Sequence, residues 1–315
     1  MSKLHVVLGT GPLGRSVMAE LVRRGETVRM VNRRGSLAEA PAGVEIVASD
    51  VYDPQAVRAV SAGAAVVYQC AQPGYTEWPA KFPPLLAAVI DGLTGGDAKL
   101  VIGENLYLYG EVNGKLHEGL PYAAHTRKGK VRARMAETAL AAHRAGKVRV
   151  AIGRGSDFFG PWVMGSSVGD RVFYPALAGK TAQLAGDLDA PHTVTYIEDF
   201  GRALVVLGEH DEALGQAWHV PNDRPTITQR QFVELIFAEI GLPPKLSALG
   251  RTMMWIGGLF IPAAREVTEM MYEFEQPFVV DSSKFETAFG VHATPLAEAV
   301  KATVAWYKAH PAQTH

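Results

Sequence analysis

Residues 4–14 read Leu-His-Val-Val-Leu-Gly-Thr-Gly-Pro-Leu-Gly, and this stretch decides the fold. Residues 4–8 are an apolar run of strand length, and a helix-period segment starts at Pro12 and continues to about residue 24. The turn between them, Gly9-Thr10-Gly11-Pro12-Leu13-Gly14, has a physical reason at each position. Gly9 permits the tight turn, Gly11 lets a pyrophosphate approach the backbone, and Gly14 allows the helix to pack closely. Pro12 suits the first helical turn, where its missing N–H is not needed. Strand, turn and helix in this order make the G-x-G-x-x-G match a dinucleotide-binding fingerprint; without them it would be only a structural turn.

Outward from the fingerprint, strands are expected at 27–31, 44–48, 64–70, 99–103 and 148–152, with helices near 54–61, 83–91 and 128–145. Such alternation argues for a parallel sheet covered on both faces. After Gly153 the pattern loosens around Gly160-Pro161, Gly165, Gly169 and Gly179, as in insertions around a site. Strands at 193–197 and 217–220 then flank a helix over 198–207, and a helix over 228–240 starts on a Thr cap and ends at Gly241. The last hundred residues read as mainly helical.

Composition narrows the class. The chain has 315 residues, 48% hydrophobic and 20% charged, with a formal net charge of −1, which fits a soluble globular protein and argues against general electrostatic binding of nucleic acid. The single cysteine, Cys70, excludes an intramolecular disulfide and a thiolate metal site, so a reducing, cytoplasmic setting is expected. No leader pattern precedes the first strand, and the longest apolar stretch, 252–264, falls short of the roughly 20 residues of a membrane span. Ten histidines show no metal-ligand spacing, so no metal is expected.

A dinucleotide fold selective for NAD places an acid at the end of its second strand to accept the ribose hydroxyls. Here the residues are Asn32-Arg33-Arg34. Two guanidinium groups in place of an acid favour the 2′-phosphate of NADP, the alternative being a solvated pair of surface arginines. Asp50-Val51 would sit by the adenine, and Cys70-Ala71-Gln72 would line the crevice through the backbone. Cys70 itself reads as a small core residue, because nothing near it in sequence stabilises a thiolate.

Taken together, Gly9 to Gly14, Asp50, Leu108-Tyr109-Gly110, the run Arg154-Gly155-Ser156-Asp157-Phe158-Phe159-Gly160-Pro161, Tyr196-Ile197-Glu198-Asp199 and Asp281-Ser282-Ser283-Lys284-Phe285 resemble the short-chain dehydrogenase/reductase superfamily in its extended, epimerase/dehydratase form. The resemblance implies a Rossmann α/β fold, a doubly wound parallel sheet with a smaller, mainly helical C-terminal lobe. It implies a nucleotide-binding domain over 1–154 and 192–220, and a substrate lobe over 155–191 and 221–310. It adds Asn105, Gly155 and Ser156 to the cofactor set, and implies homodimers through the helices near 83–91 and 128–145.

In that superfamily a tyrosine acid/base is followed four residues later by a lysine on the same helix face, and a Ser or Thr stands four residues before the Tyr of the Tyr-Gly pair. None of the ten tyrosines here has lysine at that spacing. Registering the helix on Glu137 puts Gly129 at the tyrosine position and Ala133 at the lysine position, and registering on Tyr109 puts Asn105 at the Ser/Thr position. The chain therefore resembles an atypical branch that keeps the cofactor site and lacks the usual proton-transfer residues.

Four residues near the expected site are candidates for the chemistry. Asn105 can orient a substrate oxygen, or only tie the strand end to a loop. Tyr122 and His125, on the loop before the long helix, and Lys130, one position past the missing tyrosine, are candidate proton donors. From Lys115 to Arg154 ten Lys/Arg stand against Glu118 and Glu137, an excess of eight that suits an anionic substrate or the cofactor phosphates. Tyr75, Trp78 and Phe82, with Phe158, Phe159, Trp162 and the Met253-Met254-Trp255 run, read as pocket wall or core.

The expected function is NADP-dependent hydride transfer to or from a small carbonyl or alcohol substrate. The missing tyrosine, lysine and Ser/Thr leave open a non-catalytic NADP(H)-binding redox sensor or scaffold. Epimerisation or dehydration needs an acid/base pair that the sequence does not display.

Overall fold

The computed structural model describes residues 2–250 and 268–312. The chain divides into two compact units, the first formed by residues 1–110, 121–155 and 200–220, the second by 111–120, 156–199 and 221–315.

In the first unit β1 (Leu4–Leu8), β2 (Thr27–Asn32), β3 (Glu45–Ala48), β4 (Ala64–Gln69) and β5 (Lys99–Glu104) form one parallel sheet with two later strands. Counting Lys115–Leu116 of the second unit as β6, those two are β7 (Arg149–Arg154) and β11 (Ala217–His219). The order is β3-β2-β1-β4-β5-β7-β11, so the winding direction reverses between β1 and β4. Every neighbouring pair is parallel. Helices α1 (Pro12–Arg23), α2 (Pro54–Val60), α3 (Trp78–Leu93), α4 (Arg127–Arg144) and, after α5 of the other unit, α6 (Ile197–Glu209) connect the strands. The interiors of the central strands β1, β4, β5 and β7 are mainly Val, Leu and Ile at close to zero exposure, as a sheet covered on both faces requires.

α3 starts at Trp78, five residues before the expected boundary at 83, and carries Pro83 and Pro84 inside the helix. Proline removes a helical hydrogen bond, but Trp78 and Phe82 lie one helical turn apart and are 2% and 1% exposed. Burial of two large aromatics on one face outweighs the lost bonds.

The second unit has its own core, built from Phe159, Phe173, Phe232, Phe237 and Tyr307 among others. It contains α5 (Asp170–Leu177), α7 (Gln229–Ile240) and the helices Ser283–Phe289 and Leu296–Ala309. Thr228 and Gln231 form the capping box of α7, and Gly241 ends the helix with a positive φ.

The stretch after Gly153, read from the sequence as loops, holds β8 (Asp157–Phe159) and α5. β8 pairs with β10 (Val194–Tyr196) as a separate two-stranded sheet, so the strand expected over 193–197 lies outside the large sheet. That pairing puts residues 192–199 in the second unit. β6 pairs with Val279–Val280, which puts 111–120 there too. Neither exchange was visible from the order of elements along the chain. The apolar stretch 252–264, with Met253-Met254-Trp255, lies outside the described residues. Among those described, no helix is long and apolar enough to cross a membrane.

Candidate active site

The fingerprint loop lies where the sheet reverses direction, the place at which open α/β sheets take ligands. Its three glycines differ in what surrounds them. Gly9 has φ +107°, and a Cβ there would stand 2.6 Å from the Ala71 amide nitrogen, so the loops after β1 and β4 touch. At Gly14 a Cβ would fall 2.1 Å from the Gly9 carbonyl oxygen, whereas at Gly11 nothing lies within 4 Å. The outer glycines close the turn, and the middle one faces open space in front of the α1 N-terminus. That is the shape and polarity a pyrophosphate needs, so the residues present fit a dinucleotide. Thr10 and Pro12 complete the turn, and at Gly103 on β5 a Cβ would meet the Leu13 side chain at 2.5 Å.

Asn32 is committed to the protein. Its Nδ2 donates to Thr10 Oγ1 at 3.2 Å and to the Ser36 carbonyl at 2.8 Å, while Oδ1 accepts from the Arg34 and Gly35 amides at 2.8 Å each. The amide locks the β2 tip against the fingerprint turn. Arg33 and Arg34 extend from that locked tip, both exposed. Asp50 is exposed and closes its own turn on the Tyr52 amide at 3.0 Å, with Val51 half-buried beside it. Ala71 and Cys70 are half-buried and Gln72 exposed; burial pushes the Cys70 thiol up, so it stays protonated.

Gly155 and Ser156 are used for packing. A Cβ on Gly155 would meet the Phe200 ring at 2.6 Å. The Ser156 amide donates to Thr195 Oγ1 at 2.9 Å, and its hydroxyl donates to the Thr193 carbonyl at 2.7 Å.

At the carboxyl ends of three adjacent strands the register sets Glu104 of β5, Arg154 of β7 and His219 of β11 side by side. Arg154 and His219 are fully buried, Glu104 nearly so. Arg154 Nε donates to Glu104 Oε2 at 2.8 Å, Nη1 to the Tyr109 hydroxyl at 2.6 Å, and Nη2 to the Tyr122 hydroxyl at 2.7 Å. Tyr109 in turn shares a 2.9 Å hydrogen bond with His219 Nε2. Burial alone would depress the Arg154 pKa, but Glu104, with the two phenols, holds it above its ordinary value. The cation is permanent, and Tyr122 is the half-buried member through which the network reaches solvent.

The four catalytic candidates thus separate. Tyr122 is anchored by Arg154, Asn105 is half-buried and accepts from the Tyr107 amide at 3.4 Å, and His125 and Lys130 are exposed. Lys130 points outward because the buried stripe of α4 runs through Lys128, Gly129, Val131, Arg132, Met135, Ala136 and Ala139. Helical spacing from Val131, Met135 and Ala139 was the signal that puts Lys128 and Arg132 inside and Lys130 outside. At Gly129 a Cβ would stand 2.5 Å from both the Tyr107 carbonyl oxygen and the Ala124 Cβ, so no side chain fits there. Of the aromatic residues read as pocket wall, Tyr75, Trp78 and Phe82 gather on the first unit. Phe158 is half-buried in the second unit, Phe159 is core there, and Trp162 packs on Trp306 at 5.2 Å. Among the described residues no group of His, Cys, Asp and Glu could hold a metal ion.

Residues 9–147 match the model of the NAD(P)H-binding family. The described fold superposes on UDP-N-acetylglucosamine 4-epimerase from Bacillus cereus with a TM-score of 0.78 at 14% identity, over 98% of this chain and 97% of that one. The fold is shared with this epimerase. UDP-glucuronic acid 4-epimerase from Bacillus cereus, in complex with UDP-glucuronic acid and NAD, is similar with a TM-score of 0.78 at 17% identity, covering 98% of this chain and all of that one. The dTDP-glucose 4,6-dehydratase from Bacillus anthracis, in complex with NAD, gives 0.76 at 17% identity over 98% and 97% of the two chains. No curated protein matches the sequence. The Rossmann α/β fold expected from the motifs is therefore present, and residues 9–147 are similar to the NAD(P)H-binding family.

Proposed function

We propose that the protein is an NADP-dependent oxidoreductase acting on a small carbonyl or alcohol, with Tyr122 as the group that exchanges the proton. The observation that carries this reading is the Arg154 hydrogen bond to the Tyr122 hydroxyl, at the ligand end of the sheet that bears the dinucleotide turn. The guanidinium holds the phenol oxygen in place at that end of the sheet, and a positioned phenol can pass a proton to a substrate oxygen. Glu104 and the Tyr109–His219 pair fix the guanidinium, which in turn fixes the phenol. Asn105, beginning the loop after β5, is the neutral donor that orients the substrate oxygen.

Gly9 to Gly14 would hold the pyrophosphate, and Arg33 and Arg34 the 2′-phosphate. When bound, the reduced nicotinamide supplies the hydride. The NAD complexes of the similar structures speak for NAD in those proteins. In this chain the saturated Asn32 leaves no acid at the β2 tip to accept ribose hydroxyls, and that supports NADP.

Calorimetric titration with NADPH and NADH, followed by turnover assays of Tyr122→Phe, tests the reading. It expects tighter NADPH binding, and a variant whose turnover falls about a hundredfold with NADPH affinity unchanged. Turnover in Tyr122→Phe equal to the parent removes Tyr122 as donor. A second reading, a non-catalytic NADP(H) sensor, is favoured by the closed Gly129 position and expects nucleotide binding with no turnover of any carbonyl.

A further inference from the structure

The inner face of α4 carries two cations where a helix lying on a protein interior ordinarily carries apolar side chains. Lys128 is 1% exposed and Arg132 4%. The Arg132 guanidinium lies 4.4 Å from the Trp78 ring centre and 4.1 Å from that of Phe82, and Lys128 Nζ stands 4.4 Å over Tyr75. A ring face offsets part of the cost of drying the Arg132 guanidinium but accepts no ordinary N–H hydrogen bond from it. Arg132 Nε and Trp78 Nε1 are both sealed from solvent and have no hydrogen-bond partner among the described residues.

The buried carboxylate that acts on Arg132, Glu104, is already engaged by Arg154 at 2.8 Å. Two buried cations, Arg132 and Arg154, thus face the one carboxylate of Glu104. Burial pulls the Arg132 pKa down to about 10, against the pull of Glu104, Tyr107 and Tyr75, so the guanidinium remains charged at neutral pH. Water can satisfy an orphan N–H but cannot neutralise a charge. Two unmet donors beside an uncompensated cation call for an anionic acceptor.

We propose that this cluster recognises a carboxylate carried by the substrate, with Arg132 as ion-pairing partner and Trp78 Nε1 as second donor. Tyr75 and Tyr107, half-buried with their hydroxyls 3.5 Å apart, are the members of the cluster that solvent reaches. The proposed places for the cofactor phosphates are the α1 N-terminus and the 33–34 tip, which leaves the Arg132 cluster for another anion. As a statement of substrate class, the proposal rests on the carbonyl-chemistry reading above; as an anion site it stands by itself.

The test is calorimetry on the full chain with benzoate and its neutral counterpart benzamide as probes, with and without NADPH. Benzoate is expected to bind, benzamide about tenfold or more weaker, and Arg132→Met to lose benzoate about tenfold while NADPH affinity stays within about twofold. Equal binding of the two probes, no benzoate binding, or a Met variant that binds benzoate like the parent overturns the proposal. Should Arg132→Met fail to fold, Arg132→Lys decides, since it keeps the charge and loses the planar fork. It is expected to bind benzoate about threefold or more weakly, and unchanged affinity overturns the proposal. Benzoate binding without any NADPH binding removes the oxidoreductase reading and leaves the anion site. NADPH binding without benzoate does the reverse.

Discussion

Asn32 shows how one side chain settles what a strand end can bind. Its amide makes four hydrogen bonds within the protein, so it anchors the loop and leaves recognition to the arginines that follow. Replacing Arg33 and Arg34 by glutamate is expected to weaken NADPH binding by about tenfold to a hundredfold per lost charged hydrogen bond, with little effect on NADH. Titration of both cofactors against the double variant checks this; parallel losses for the two would remove the 2′-phosphate role. Gly14→Ala sets a methyl 2.1 Å from the Gly9 carbonyl and is expected to lose nucleotide affinity and about 1–3 kcal/mol of stability, read by calorimetry and denaturant melts. The glycines were legible in the sequence because backbone geometry alone fixes them. Asn32 was legible as a missing acid, but its locking role depends on Thr10 and Ser36, which only the folded turn brings to it.

At the scale of elements, the ends of β5, β7 and β11 form one polar rung, and its strength comes from being completed rather than from any single contact. Arg154→Met strands Glu104 in the interior and is expected to cost about 3–5 kcal/mol, while adding Glu104→Gln to it is expected to recover a large part of that loss. Urea denaturation of the parent, both single variants and the double variant measures the coupling, and additive losses would show that the pair does not act as a unit. Sequence periodicity located α4 to within one residue, yet Lys130 was singled out while Lys128 and Arg132 entered only within the basic excess of 115–154. Charged residues are so rarely buried that composition spoke louder than position on the helical wheel. The α3 boundary was missed in a similar way, since prolines are a local stop signal and the burial of Trp78 and Phe82 is decided by the rest of the unit.

Across the whole molecule, stability in the second unit depends on groups that the nucleotide site does not use. Glu273 is 1% exposed, and burial first, then the Asp157 charge, raises its pKa well above the ordinary carboxylate value. Asp157 is itself paired with His192 Nε2 at 2.8 Å. A raised carboxyl pKa means that the folded state holds a proton the unfolded chain has released. Stability from this group is therefore complete below the unfolded pKa and falls by about 1.4 kcal/mol per pH unit as pH rises toward the folded value. Glu273→Gln is expected to raise the melting temperature at pH 8 and to change it little near pH 4.5; a constant difference across that range would contradict the raised pKa. The parallel sheet was readable from alternating strands and helices, but the placing of residues 111–120 and 192–199 in the second unit was not, because it depends on β6 and β10 pairing with partners far along the chain.

The closeness of Gly129 to the Tyr107 carbonyl also shuts position 129 to every side chain. A side chain introduced at 129 has to displace the turn over residues 107–109, and the hydroxyl of Tyr109 in that turn is clamped between Arg154 and His219. Introducing tyrosine at 129 and lysine at 133 would therefore not by itself install a Tyr-x-x-x-Lys pair. An engineer would first have to rebuild the turn and its clamp, and every intermediate on that path would carry a broken interior before it gained a catalyst.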